Sequence, residues 1–147
     1  MSADMTNERE TIVQEITIKA PARRVFEALT DPQQRKAWWG SPGRFETERF
    51  ESDLRPGGQW SMSGRGMDKP FTVMGEYRVV EPPRALAFTW LPSWQPNPSE
   101  SLVRFDLTEK DGVTTVRITH SGLSAEGLQT HKGWPQILGW LRAYVER

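Results

Sequence analysis

The chain has 147 residues, a length that suits one domain and lets it bury roughly two-thirds of the surface its unfolded form would expose. Lys plus Arg and Asp plus Glu each number 19, so the formal charge is zero, there is no global field to attract a phosphate backbone, and no nucleic-acid partner is expected. Cysteine is absent, which excludes a disulfide framework, a thiolate metal site and a Cys nucleophile, and fits a reducing compartment.

Residues 1–10 are polar and unpatterned and read as a flexible tail, with a single domain over 11–147. They contain no signal-peptide apolar core, and no apolar run approaches the roughly 20 residues of a membrane span. The expectation is a soluble, cytoplasmic protein without membrane insertion. From Thr11 to Ile18 the alternation places Ile12, Ile16 and Ile18 on one face of a strand and Val13, Glu15 and Thr17 on the other. Pro21 then suits a first helical turn. Ala22, Val25, Phe26 and Leu29 follow at helical spacing until Thr30-Asp31-Pro32 stops them. Asp31 and Pro32 form a fresh N-cap and N1 pair for a second short helix ending near Trp39, with Gly40 available for a left-handed cap. Arg23, Arg24, Arg35 and Lys36, interleaved with Glu27 and Asp31, read as the solvated surface of these helices.

Beyond Gly43 turn signals recur between alternating segments, and no helical period appears for about eighty residues. Arg55-Pro56-Gly57-Gly58 is the first tight turn. Trp60, Met62 and Gly64 share a face of the next strand; Phe71, Val73, Gly75, Tyr77 and Val79 share a face of the one after. Glu81-Pro82-Pro83-Arg84 turns the chain into Leu86, Phe88 and Trp90. Pro92 to Pro98, with three prolines and Trp94, predicts an exposed loop or sheet edge. Two strands, 102–108 and 113–120, are joined by the hairpin signal Asp111-Gly112. A terminal helix begins after Ser124 and runs to Val145. Its apolar stripe holds Thr130, His131, Trp134, Ile137, Leu138, Leu141 and Val145, and Pro135 predicts a kink near Lys132 or a restart at Trp134. One helix covering a sheet of many strands leaves a void between them, and the void is the expected site.

These pieces resemble the activator-of-Hsp90-ATPase homologue 1-like family, within the START-like, Bet v 1-like superfamily. The likeness rests on Val25-Phe26-Glu27-Ala28-Leu29-Thr30-Asp31-Pro32 with Trp38-Trp39-Gly40, on Leu54-Arg55-Pro56-Gly57-Gly58-Gln59-Trp60, and on Gly75-Glu76-Tyr77 with Val80-Glu81-Pro82-Pro83-Arg84. It continues in Leu86-Ala87-Phe88-Thr89-Trp90, Thr119-His120-Ser121-Gly122 and His131-Lys132-Gly133-Trp134. The resemblance implies an α+β helix-grip fold: a bent antiparallel sheet wrapped around a long C-terminal helix, with two short helices after the first strand closing one end. Activation of Hsp90 is not expected, because the eukaryotic members place a separate domain ahead of this one. Superfamily relatives include lipid and hormone binders as well as polyketide cyclases and aromatases.

The expected function is therefore binding of a small hydrophobic or aromatic molecule, lipid or polyketide-like, in a cavity of several hundred cubic ångströms between sheet and helix. Its lining is read as Trp38, Trp60, Tyr77, Phe88, Trp90, His131, Trp134 and Leu138. The same Trp residues have an alternative reading as core side chains. A cyclase or aromatase in the same cavity is the second reading, with Tyr77 or His131 moving a proton. A protein-interaction module acting through Trp94 or Trp140, as a lid or a homodimer contact, is the third. Glu76, Arg104 and Asp106 are further candidate acid or base groups; Asp106 lies outside if Phe105 faces the helix. The two histidines, His120 and His131, lack a third ligand at metal spacing, so neither metal nor cofactor is expected. His120 is placed at the end of its strand, ahead of a Ser121-Gly122 turn.

Overall fold

A computed structural model describes residues 10–41, 44–94 and 100–147. The tail expected over 1–10 lies outside them except for Glu10, which opens the first strand. Eight strands form one antiparallel, curved sheet: β1 (Glu10–Ile18), β2 (Gly40–Ser41), β3 (Phe45–Ser52), β4 (Gln59–Gly66), β5 (Lys69–Glu81), β6 (Ala85–Pro92), β7 (Ser101–Lys110) and β8 (Val113–Leu123). Their order is β1-β8-β7-β6-β5-β4-β3-β2, so the meander from β2 to β8 is closed at its far edge by the first strand. Helices α1 (Ala22–Thr30) and α2 (Pro32–Trp38) carry the chain from one edge of the sheet to the other. Helices α3 (Ala125–Thr130) and α4 (Trp134–Glu146) follow the last strand.

Local chemistry accounts for the joints. Ala22, Val25, Phe26 and Leu29 of α1 are buried as their spacing predicts, and Glu109 reaches from β7 to accept a hydrogen bond from Ala22 N at 2.8 Å, satisfying one open donor of the first turn. Asp31 caps α2 through Gln33 N at 3.4 Å, with Pro32 at N1. Asp111 and Gly112 both have positive φ, as a two-residue hairpin turn requires. The C-terminal helix restarts at Trp134, where Pro135 occupies the first turn and needs no donor. Trp134, Leu138, Leu141 and Val145 are its buried stripe.

Four expectations are corrected. Gly40, at φ +148°, opens β2 and is not a left-handed helix cap; a side chain there would run into the Phe45 carbonyl. The face assigned to Val79 shifts, because the β5–β6 register slips between Tyr77 and Val79, and Val80 packs on the core instead. His120 is not at a strand end: β8 runs on through Gly122, at φ +80°, to Leu123. The proline-rich segment begins later than expected, since Pro92 still belongs to β6; residues 95–99 lie outside the described residues.

The bend of the sheet is built where backbone approaches backbone. A Cβ at Gly75 would collide with the Thr89 carbonyl and crowd the Trp60 indole, and one at Gly64 would collide with the Glu46 carbonyl beside the slip in register between Thr47 and Arg49. Gly75→Ala is accordingly expected to lower stability by about 1–3 kcal/mol. Gly139→Ala, inside α4 with open space around it, is expected to raise stability by about 0.5–1 kcal/mol. Urea denaturation of the two variants checks both signs, and an unchanged midpoint for Gly75→Ala would place the origin of the curvature elsewhere.

Candidate functional site

An apolar pocket of about 110 Å³ lies between the concave face of the sheet and the start of α4. Trp90 of β6 and Trp134 of α4 form its floor, 5.5 Å apart between ring centroids. Trp39, which caps the C-terminus of α2, closes one side against both of them. Phe45 and Phe71, stacked at 4.7 Å, and Met62 form the opposite wall. His131 and Ile137 complete the rim with Trp94, which is 40% exposed and contacts Trp90, Phe71 and His131. Trp94 is therefore the mouth of the pocket.

Of the eight residues expected to line the void, Trp90, His131 and Trp134 border this pocket. Trp38, Trp60, Tyr77, Phe88 and Leu138 stand beside it in close-packed core, each at most 3% exposed. The volume is well below the several hundred cubic ångströms anticipated, because the indoles and Phe88 turn inward and fill the concavity themselves: Trp60 sits edge-on to Phe88 at 5.1 Å and tilts on Trp90 at 5.8 Å. Trp39 escaped the sequence reading because it follows the last turn of α2, where helical periodicity no longer sets direction. Met62 and Phe71 were already on inward faces by strand alternation. Trp140 packs on Phe45 at 5.9 Å. Phe105 is buried, so Asp106 faces out, paired with Arg104 at 3.0 Å on a half-exposed surface.

Two histidines hold the floor in place. Trp90 Nε1 donates to His131 Nε2 at 2.9 Å, which leaves His131 Nδ1 carrying the proton and donating it to the Gly127 carbonyl at 2.7 Å. Trp134 Nε1 donates to His120 Nδ1 at 3.0 Å, so His120 Nε2 carries the proton and donates it to Ser101 Oγ at 2.7 Å. The two imidazoles meet edge to face at 4.9 Å. Both are thus neutral with assigned tautomers, and a further proton on either would break an indole bond. Burial pushes the His120 pKa down to about 3, aided by the neighbouring His131. Burial also lowers His131, opposed in part by its Gly127 bond.

Arg35 is the functional candidate that the sequence reading missed, and its placement among solvated helix charges is corrected: it is 2% exposed. Its guanidinium lies 4.5 Å from the Trp39 ring and 4.7 Å from Phe50, with Trp38 at 5.9 Å. Nη1 donates to the Leu29 carbonyl at 2.8 Å, while Nε and Nη2 have no partner among the described residues. Desolvation lowers its pKa to about 10, so the charge persists at neutral pH. The signal available in the sequence was spacing: Arg35 precedes Trp38 and Trp39 by three and four residues, on the face those indoles bury. Tyr77 is the nearby polar group. Its hydroxyl shares a 2.7 Å hydrogen bond with Ser52, and burial raises its pKa against the opposing effects of Ser52 and Arg35. Trp60 Nε1 is a third buried donor without a partner.

A larger, open groove of about 690 Å³ runs across β3, β4, β5 and β6, and Trp60, one of the eight expected residues, is among those that line it. Glu51, Asp53 and Glu76 on its walls are each paired with an arginine, at 3.6, 2.8 and 3.2 Å. Among the described residues no group of three or more His, Asp or Glu side chains could hold a metal ion, and no helix is long and apolar enough to cross a membrane.

The histidine network predicts an acid limb in stability. Above pH 6.5 neither folded nor unfolded chain protonates these rings; below it the unfolded chain binds a proton that the fold refuses, so stability falls with pH until the folded pKa of about 3 for His120 is reached. The expected slope is about 1.4 kcal/mol per pH unit for each fully refused proton. Urea midpoints from pH 7.5 to 4.5 check it, and His120→Gln, which keeps an acceptor and a donor without titrating, should flatten the curve.

The comparisons with known proteins follow the same frame. The family model described as activator of Hsp90 ATPase homolog 1-like protein matches residues 19–146. A Schizosaccharomyces pombe protein, uncharacterized protein C1711.08, is 27% identical over 113 residues, which cover 76% of this chain and 30% of that protein, so the chain spans under a third of the curated relative it matches. Among solved structures, CV1439 from Chromobacterium violaceum superposes with a TM-score of 0.83 at 24% identity, covering 93% of this chain and 97% of that one, a likeness of fold. CalU16 from Micromonospora echinospora gives a TM-score of 0.71 at 25% identity over 92% of this chain and 75% of that one. DynU16, a protein of the dynemicin biosynthetic locus, gives 0.74 at 26% identity over 92% and 47%. With the family model spanning every element after β1, from α1 to α4, over a bent sheet gripping a C-terminal helix, the chain belongs to the activator of Hsp90 ATPase homologue 1-like family.

Proposed function

We propose that this protein binds a small hydrophobic or aromatic molecule, of the size of one ring or a short acyl tail of a lipid or polyketide, in the pocket between the sheet and α4. The observation that carries the reading is a preformed apolar opening of about 110 Å³ walled by five indole or phenyl rings together with Trp94 at its mouth. A dry cavity of about 150 Å³ lined by apolar side chains takes up benzene; this opening is smaller but not enclosed, so a ring enters it with its outer edge, and the remainder of a larger ligand, at the mouth beside Trp94. The likeness to a protein of the dynemicin biosynthetic locus sets a relative of this fold beside small-molecule biosynthesis, in keeping with a small-molecule guest. Binding is favoured over proton transfer because both ring nitrogens of His131 are engaged in hydrogen bonds and the Tyr77 hydroxyl is held by Ser52. Activation of Hsp90 is no part of this reading.

The test is intrinsic Trp fluorescence titrated with toluene, backed by native mass spectrometry with toluene and indole. Saturable quenching is expected. Ile137→Trp, which fills the pocket from its rim while leaving the buried stripe of α4 intact, is expected to abolish uptake at a cost in stability of about 1–3 kcal/mol. Uptake that survives this filling would move the ligand site away from the pocket.

A further inference from the structure

The interior divides into polar groups that are satisfied and polar groups that are not. Both histidines, and the indoles of Trp38, Trp90 and Trp134, have hydrogen-bond partners. The unpartnered buried side-chain atoms among the described residues are Arg35 Nε, Arg35 Nη2 and Trp60 Nε1. All three are donors, so what is missing is an acceptor. The two on Arg35 are adjacent: Nε–H and Nη2–H point in parallel along one edge of the guanidinium, the fork that matches the two oxygens of a carboxylate. The surrounding rings of Trp38, Trp39 and Phe50 offset part of the charge but offer no oxygen. No carboxylate of the chain is paired with Arg35 among the described residues. A buried charge in this condition is costly to keep unless something outside the chain completes it.

We infer that the ligand of this protein carries a carboxylate, and that the Nε and Nη2 edge of Arg35 receives it. The inference rests on the pocket reading above and names the chemical class of its guest: an apolar monocarboxylate, ring or chain in the pocket and acid group at Arg35. Trp39 is the partition between the two. One neighbour of its ring is the Arg35 guanidinium, at 4.5 Å, and the ring also borders the pocket. As the residue capping α2, at φ −83° and ψ 88°, it belongs to neither helix nor strand, and packing alone sets its ring. A swing of the Trp39 side chain joins the pocket to the guanidinium. Beyond it, the Tyr77 and Ser52 hydroxyls, which share one hydrogen bond, provide a further donor for a carboxylate oxygen.

The experiment compares three probes of one shape on the intact protein: benzoate, benzamide and toluene, followed by Trp fluorescence and by the Arg35 Nε–H resonance in ¹H–¹⁵N spectra, assigned by its loss in Arg35→Lys. Benzoate should bind at least tenfold more tightly than benzamide and shift the Arg35 Nε–H signal, and Arg35→Lys, which keeps the charge but loses the fork, should abolish that preference. Toluene binding with benzoate no tighter than benzamide overturns this inference and leaves the pocket reading standing. Benzoate binding with the Nε–H shift but no toluene uptake upholds the Arg35 assignment and overturns the apolar pocket, and uptake of none of the three overturns both. Should Arg35→Lys fail to fold, the Nε–H signal is assigned instead by through-bond correlation to the Arg35 side chain and backbone, and the wild-type ratio of benzoate to benzamide with that shift decides the matter.

Discussion

An indole N–H cannot be left unpaired in a dry interior without a cost of about 1–3 kcal/mol, and this fold turns most of its Trp side chains inward. Backbone acceptors in a sheet are already committed to the ladder, so the acceptors have to come from elsewhere. Trp38 finds the Ala28 carbonyl at 2.7 Å at the end of α1. Trp90 and Trp134, in the middle of the molecule, are met by the two imidazoles. Each of those bonds joins a strand to the C-terminal helical segment: Trp90 of β6 to His131 between α3 and α4, and His120 of β8 to Trp134 of α4. The helix is therefore held against the sheet by directional bonds as well as by apolar area.

The break in the C-terminal helical segment belongs to the same arrangement. Pro135 cannot donate to a continuing ladder, and the chain between α3 and α4 leaves the helical path at His131, whose backbone N bonds to the Leu128 carbonyl at 3.3 Å. An unbroken helix would carry His131 along the same stripe as Trp134, one turn away. The break sets its ring beside Trp90 and Trp94 instead, at the rim of the pocket. The pocket exists at the point where helix, sheet and capping residue Trp39 fail to close on one another, and the neutral, fully bonded His131 at its rim contributes shape without charge.

Among the described residues, buried charge enters from one side. Arg35 is buried on the far side of Trp39, where Phe50 and two indoles shield it and a single carbonyl accepts from it. The contrast with the histidines is chemical: an imidazole can shed its proton and become a satisfied neutral group, whereas a guanidinium keeps its charge at any physiological pH. Among the described residues the titratable interior is neutral save for one permanent cation near an apolar opening, and that contrast is the basis of the proposed carboxylate-bearing guest.

Strand alternation and turn chemistry made most of the architecture legible: the inward faces of β1, β4 and β6, the Asp31-Pro32 joint, the Asp111-Gly112 hairpin and the restart at Trp134 all follow from local periodicity and caps, which depend on neighbours a few residues away. What those signals could not reach depended on distant partners. The pairing of β1 with β8, the slip at Tyr77 that exchanges Val79 for Val80, and the passage of β8 through Gly122 are decided by register across the sheet. The site divides in the same way. Trp90, His131 and Trp134 were visible as large or polar residues on inward faces, while the fullness of the cavity, the role of Trp39 and the burial of Arg35 were settled by rotamers and by packing between elements far apart in sequence. Sequence by itself thus determined which faces turn inward, because side-chain direction is a property of the local backbone. Only the tertiary structure decided how much room they leave and which charge they enclose, because volume and desolvation are properties of the assembled whole.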